Sequence, residues 1–182
     1  GAPSHIVEAV VDINEKRKAQ MAEKIIAASG GSVQGKNIAV LGVAFKSNTD
    51  DVRDSASLTI IPALQESGAA IHAYDPEAMD EAKPLLPGVE WCANAYAAMD
   101  GADALVILTE WNEFRALDLV RVKQLLNSPV VVDFYREVGY EVYHAVRLAL
   151  HEANLAGGIN GYSVKLISLD DAGNPQQARK QA

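Results

Sequence analysis

Three uninterrupted apolar runs, IAVL at 38–41, ALVIL at 104–108 and VVV at 130–132, constrain the fold of this chain more than any other feature. A strand buried on both faces reads in this continuous way, whereas a strand with one wet face alternates. Segments of helical length separate these runs, so helix and strand alternate at the spacing of βαβ units. The pattern predicts further strands at 70–74 and 89–91. Helices are expected at 56–67, closed by Gly68, at 77–85, at 95–99 with Asn94 as cap, and at 114–126. Ahead of them, Ile6, Val10, Ile13, Met21, Ile25 and Ala28 recur at helical spacing, which predicts one long amphipathic helix over 6–29 that ends at Gly30-Gly31. With 49% apolar residues the chain can bury one core. The expectation is α/β, a Rossmann-like, doubly wound, mainly parallel sheet preceded by a long N-terminal helix. Its parts are the helix at 1–31, a sheet domain at 32–133 and a further α/β unit at 134–182 completing the same sheet.

The turn after the first strand carries the chemistry. Gly42 ends the run, Lys46 and Arg53 lie seven residues apart, and Asp54 or Ser55 can cap a helix beginning near Ala56. Glycine lets backbone approach a ligand, and a helix start offers N–H groups and a positive dipole end beside the two cations. The arrangement suits anionic oxygens. The plainer reading makes Lys46 and Arg53 solvated cations paired with Asp50, Asp51 or Asp54. Asp75 ends the second strand, where a dinucleotide fold places an acid on a ribose hydroxyl. However, the first turn lacks G-x-G-x-x-G, so a turn-forming Asp-Pro is the favoured role. Cys92 reads as a small apolar filler, and Trp91 and Trp111 as packing residues. His5, His72, His144 and His151 are dispersed, so neither a metal cluster nor a triad is expected.

The segments GVAFK (42–46), TDDVRDS (49–55), IIPALQESGA (60–69), AYDPEAM (73–79), GADALVILTEWNEF (101–114) and VVVD (130–133) resemble, in order and spacing, the carboxyl-terminal domain of the UDP-glucose/GDP-mannose dehydrogenases. The likeness covers most of 6–133, about 70% of the chain, and its TDD-x-RDS and TEW-x-EF forms resemble the UDP-glucose branch. The resemblance implies a UDP-sugar-binding domain whose parent enzyme oxidises UDP-glucose to UDP-glucuronate with NAD. It implies that Lys46 contacts the nucleotide-sugar substrate and that Arg53 reaches NAD held by another domain. It also implies a homodimer through the amino-terminal helix, which in the family is the tail of the long central helix. The family's cysteine loop, G-x-C-x-P-K-D, and its first NAD-binding domain do not occur in this sequence. Catalysis by the chain alone, and tight NAD binding by it, are therefore not expected.

The net charge is −8 and the pI is near 4.9, so a general nucleic-acid or anionic-membrane surface is not expected. No run reaches the length needed to span a bilayer and no signal-peptide pattern opens the chain, which together with a single cysteine gives a cytoplasmic expectation. After Asp133 the charges balance, with five basic and five acidic residues, and the family's arginine and asparagine are replaced by Phe134-Tyr135-Arg136-Glu137. Arg136 is not assigned the family role. A helix with Val138, Val142, Ala145, Val146, Ala149 and Ala153 on one stripe, a strand at 162–169 and a helix from Asn174-Pro175 are expected. The words at 136–178 resemble the first helix and second strand of periplasmic branched-chain amino-acid-binding proteins. An engineered chimera without catalytic function, and a fragment of a solute-binding module, are thus alternatives to the dehydrogenase domain.

Overall fold

The computed structural model describes residues 5–134, with side chains from residue 14 onward. Expectations for the tail, including its helices, its strand, Arg136, His144 and His151, lie outside the described residues. The elements run α1 His5–Ala28, β1 Asn37–Leu41, α2 Ser57–Glu66, β2 Ala70–Tyr74, α3 Met79–Ala82, β3 Val89–Trp91, α4 Ala95–Met99, β4 Ala104–Ile107, α5 Asn112–Arg115, α6 Leu119–Leu125 and β5 Val131–Asp133.

All five strands are parallel, in the order β3-β2-β1-β4-β5. This is the expected Rossmann-like, doubly wound α/β sheet. The strand order reverses between β1 and β4, the point at which open α/β sheets form a crevice at their carboxyl edge. Leu41 pairs with Tyr74 on one side and Ile107 on the other, and Ile107 pairs with Asp133, so the strands end level. The loops that follow them are therefore neighbours in space.

The core explains the apolar runs. Ile38, Ala39, Val40 and Leu41 are fully buried in the central strand, and all four residues of β4 are buried beside them. Ile60, Ile61 and Leu64 of α2 and Ile71 of β2 cover this layer without exposed surface. Each such side chain contributes about 1.5–3 kcal/mol when withdrawn from water. The carboxyl-terminal part of α1 packs on α2, with Ala22 and Ile25 buried. That part of its apolar face is covered by its own domain. The helix ends as expected at Gly30-Gly31, where Gly31 N–H donates to Ile26 and Gly30 N–H to Ala27.

Three helices depart from expectation. The segment predicted as one helix at 114–126 is two, because the Asp118 carboxylate accepts from Val120 and Arg121 N–H and starts α6 afresh, while Asp118 N–H donates to the Tyr96 hydroxyl. The helix predicted at 77–85 is cut to Met79–Ala82 ahead of Pro84, which has no N–H to continue it, and Leu85 and Leu86 N–H both turn back to the Ala82 carbonyl. The third, α2, starts one residue later than expected, at Ser57 with Ala56 in the cap position, although Ser55, one of the two expected caps, does accept from Ser57 N–H through its hydroxyl.

Candidate functional site

The turns after β1, β2 and β4 meet at the carboxyl edge of the sheet, and Asp75 joins them. Its Oδ2 accepts from Val43 N–H at 2.7 Å, Ala44 N–H at 3.0 Å and the Trp111 indole N–H at 3.1 Å. Its Oδ1 accepts from Glu77 N–H at 3.0 Å and Ala78 N–H at 2.8 Å. The side chain is fully buried. The turn-forming role expected of Asp75 is present in the bonds to Glu77 and Ala78. A ribose hydroxyl would find both oxygens already engaged.

Gly42 is glycine for a reason other than the one the sequence suggested. Its φ is +85°, and a Cβ there would stand 2.5 Å from Thr109 Cβ and 2.7 Å from Thr109 N. The close approach is made by the β4 turn, not by a ligand. Thr109 is itself buried and donates its hydroxyl to the Ala44 carbonyl. Ser55 and Ser57 place their hydroxyls 2.8 Å from the Val43 carbonyl. The start of α2 is likewise satisfied internally: Ser57 N–H donates to Ser55 Oγ, Leu58 N–H to the Ser55 carbonyl and Thr59 N–H to the Ala56 carbonyl. The free donors expected at this helix start are taken by the chain itself. Asp54, one of the two expected caps, instead sits in the left-handed region at φ +59°.

Beyond this inner layer, residues 45–54 form an outer loop, closed by Phe45 N–H donating to the Asp51 carbonyl at 2.8 Å. Lys46 stands exposed on it, with no hydrogen bond or ion pair among the described residues. Arg53 is also exposed and grips Asp51 in a two-point pair, Nε to Oδ1 at 2.9 Å and Nη2 to Oδ2 at 2.7 Å. These hydrogen bonds, Arg53's own N–H and, last, the charges of Arg53 and Lys46 hold the Asp51 carboxyl down at about 2. The two candidate cations therefore belong to one loop and share the field of one acid. Glu110, from the β4 turn, accepts from Ser47 N–H and hydroxyl at 3.5 and 3.3 Å, which ties the loop to the sheet edge.

Two other titratable groups stand at the ends of neighbouring strands, Tyr74 at the end of β2 and Cys92 just after β3. The Tyr74 hydroxyl is pushed up to about 12, chiefly by burial and then by the charge and hydrogen bond of Glu113, and its ring meets Phe114 edge-on. Cys92 is a free, half-buried thiol whose ionisation is pushed upward by burial and by Glu90, away from nucleophilic thiolate. Among the described residues no group of histidine, cysteine and acidic side chains is placed to hold a metal, and no helix is long and apolar enough to cross a membrane.

The sequence that builds this parallel sheet, and the fold itself, have parallels among known proteins. The model of the UDP-glucose/GDP-mannose dehydrogenase family, UDP binding domain, matches residues 39–138. The chain belongs to this family. The UDP-glucose 6-dehydrogenase of Rhizobium meliloti (strain 1021) is 50% identical over 131 residues, 72% of this chain and 30% of the relative. The UDP-glucose 6-dehydrogenase YwqF of Bacillus subtilis (strain 168) is 37% identical over 87% of this chain and 34% of its own length. A solved UDP-glucose dehydrogenase from the hyperthermophilic archaeon Pyrobaculum islandicum superposes with a TM-score of 0.55 at 32% identity, covering 70% of this chain and 27% of that one. The chain thus spans about a third of the length of these relatives. An alignment covering 87% of the chain cannot fit within residues 1–133, so the likeness to YwqF continues into the tail.

Sequence reasoning missed the joint role of Asp75, Trp111 and Thr109. The signal available was positional: Asp75 and Thr109 each follow a strand that flanks β1, and Trp111 stands two residues on. Side chains so placed turn toward the same central turn.

Proposed function

We propose that this chain is the UDP-sugar-binding domain of a UDP-glucose 6-dehydrogenase, with Lys46 as the contact to the nucleotide sugar. One observation carries the reading: Lys46, without a partner among the described residues, stands on a loop that is closed by Phe45 N–H on the Asp51 carbonyl and tied to the sheet edge through Ser47 and Glu110. An ammonium held in this way offers three charge-assisted donors to phosphate or sugar oxygens without first breaking an ion pair. Arg53 is proposed to reach the NAD bound by another domain of the whole enzyme, exchanging its Asp51 partner for a cofactor oxygen. The β1 turn itself does not fit a dinucleotide, since its N–H groups are held by Asp75. The parent reaction, NAD-dependent oxidation of UDP-glucose to UDP-glucuronate, therefore needs polypeptide beyond this sequence.

Titration of the chain with UDP, followed by calorimetry and amide NMR, tests the reading. Saturable shifts across residues 45–54, weakened in Lys46→Ala, are expected. Silence there, with intact cooperative unfolding, would leave a folded α/β unit without this ligand. Mixed with UDP-glucose and NAD, the chain alone is expected to yield no NADH, and a steady rise in NADH absorbance would refute that part.

A further inference from the structure

We propose that Asp75 is a specificity-determining residue, a resident anion that occupies the β1 turn and denies it to a ligand's phosphate. In a dinucleotide fold the N–H groups of this turn are the ones that approach a pyrophosphate. Here Val43 and Ala44 N–H both point to Asp75 Oδ2, which also takes the Trp111 indole. Each of five N–H groups donates to this carboxylate, which has about four acceptor positions, so its acceptor capacity is filled and every donor of the cluster is engaged by it. A phosphate brought against the same donors would sit beside a buried like charge.

Shape closes the turn as firmly as charge does. The open side of Gly42, through which a ligand would come close, is filled by Thr109, whose hydroxyl is committed to the Ala44 carbonyl. Ligand phosphates are thereby left to the cations of residues 45–54. This last step rests on the UDP-sugar reading above; the closure of the turn by Asp75 does not.

The test uses inorganic pyrophosphate and acetate as probes on the full chain. In the wild type, pyrophosphate is expected to leave the Val43 and Ala44 amide signals and the Trp111 indole signal in place; saturable shifts at these three would overturn the proposal. In Asp75→Ala, acetate is expected to raise the melting temperature by several degrees over chloride at equal ionic strength, and to move those same signals, by binding where the side chain was. The wild type should not respond. A folded Asp75→Ala chain indifferent to acetate would also overturn the proposal. If the variant folds in neither salt, the wild-type titration decides. Absence of shifts at residues 45–54 with pyrophosphate or UDP would sink the UDP-sugar reading while leaving the role of Asp75 to the three inner signals.

Discussion

The connection from β1 to α2 divides at Phe45 into two parts with opposite characters. On the inner side, residues 42–44 are buried, and their polar groups are consumed by Tyr74, Asp75, Thr109, Ser55 and Ser57. On the outer side, Lys46 and Arg53 are exposed, and Lys46 has no partner among the described residues. A single motif, GVAFK, runs across the boundary, so its glycine and its lysine answer to different constraints. Gly42 is fixed by packing against a neighbouring strand's turn, and only the lysine end is exposed. The geometry of a nucleotide fold is kept at this turn, but its N–H groups are turned onto the chain's own acid.

The sharpest way to break this division is Asp75→Asn, which keeps the volume but puts an amide donor into a cluster of N–H donors. Leaving several of them unmatched in the interior is expected to cost about 4 kcal/mol, read from chemical denaturation. A loss below about 1 kcal/mol would show that the inner turns do not depend on the acid. Next in size is Gly42→Ala, where a left-handed backbone and a Cβ 2.5 Å from Thr109 act together. About 3 kcal/mol is expected from strain and overpacking. Pairing it with Thr109→Ser should recover little of the loss, because the three atoms nearest the new Cβ, Thr109 Cβ, N and Oγ1, all have counterparts in serine.

Lys46→Ala tests the outer side. Being exposed and without a partner among the described residues, it should change stability by less than about 0.5 kcal/mol. On the UDP-sugar reading the same change weakens UDP roughly tenfold or more, the loss of about 1.5 kcal/mol expected for a hydrogen bond to a charged group. A variant that melts early while binding UDP normally would invert the proposed roles of the two sides.

The two central strands were legible because burial on both faces leaves little but apolar residues in β1 and β4, and the others by the helix-strand spacing around them: the predicted strands at 38–41, 70–74, 89–91, 104–108 and 130–132 agree with β1 to β5 to within a residue at each end. The helix at 114–126 was misjudged because its apolar spacing continues through Leu117 and Leu119. What divides it, the cap at Asp118 and the contact of Asp118 N–H with Tyr96, depends in part on a residue far back in the chain. The inner site was hidden for a similar reason. Asp75 lies 36 residues from Trp111 and 32 from Val43, and no local pattern announces that their turns meet. Lys46 and Arg53 were legible as cations near a turn. That Arg53 is held by Asp51 while Lys46 has no partner among the described residues was not, since any of three nearby acids could have taken either.

The smallest expected effect is also the cleanest check on the separation of the two sides. In the folded chain Asp51 is held at about 2, first by the side-chain hydrogen bond from Arg53 and then by Arg53's backbone N–H, against an ordinary value of 3.8. A carboxyl depressed on folding favours the folded state above its ordinary value, and that contribution fades as the pH falls from about 4 toward 2. Arg53 is exposed and Asp51 partly so, so solvent screens the pair, and its loss should leave the neutral-pH melting temperature unmoved. In Arg53→Ala the Asp51 titration, followed by NMR, should move up only part of the way to 3.8, because the backbone donor at position 53 remains. If the variant instead melts as early as Gly42→Ala, the outer loop is part of the core structure, and Lys46 cannot be treated as a group independent of the turn that carries it. On the proposed role of Arg53, NAD bound in the whole enzyme should draw Arg53 off Asp51 and raise the same titration. That would tie the cation's release to binding without any substitution in the inner turns.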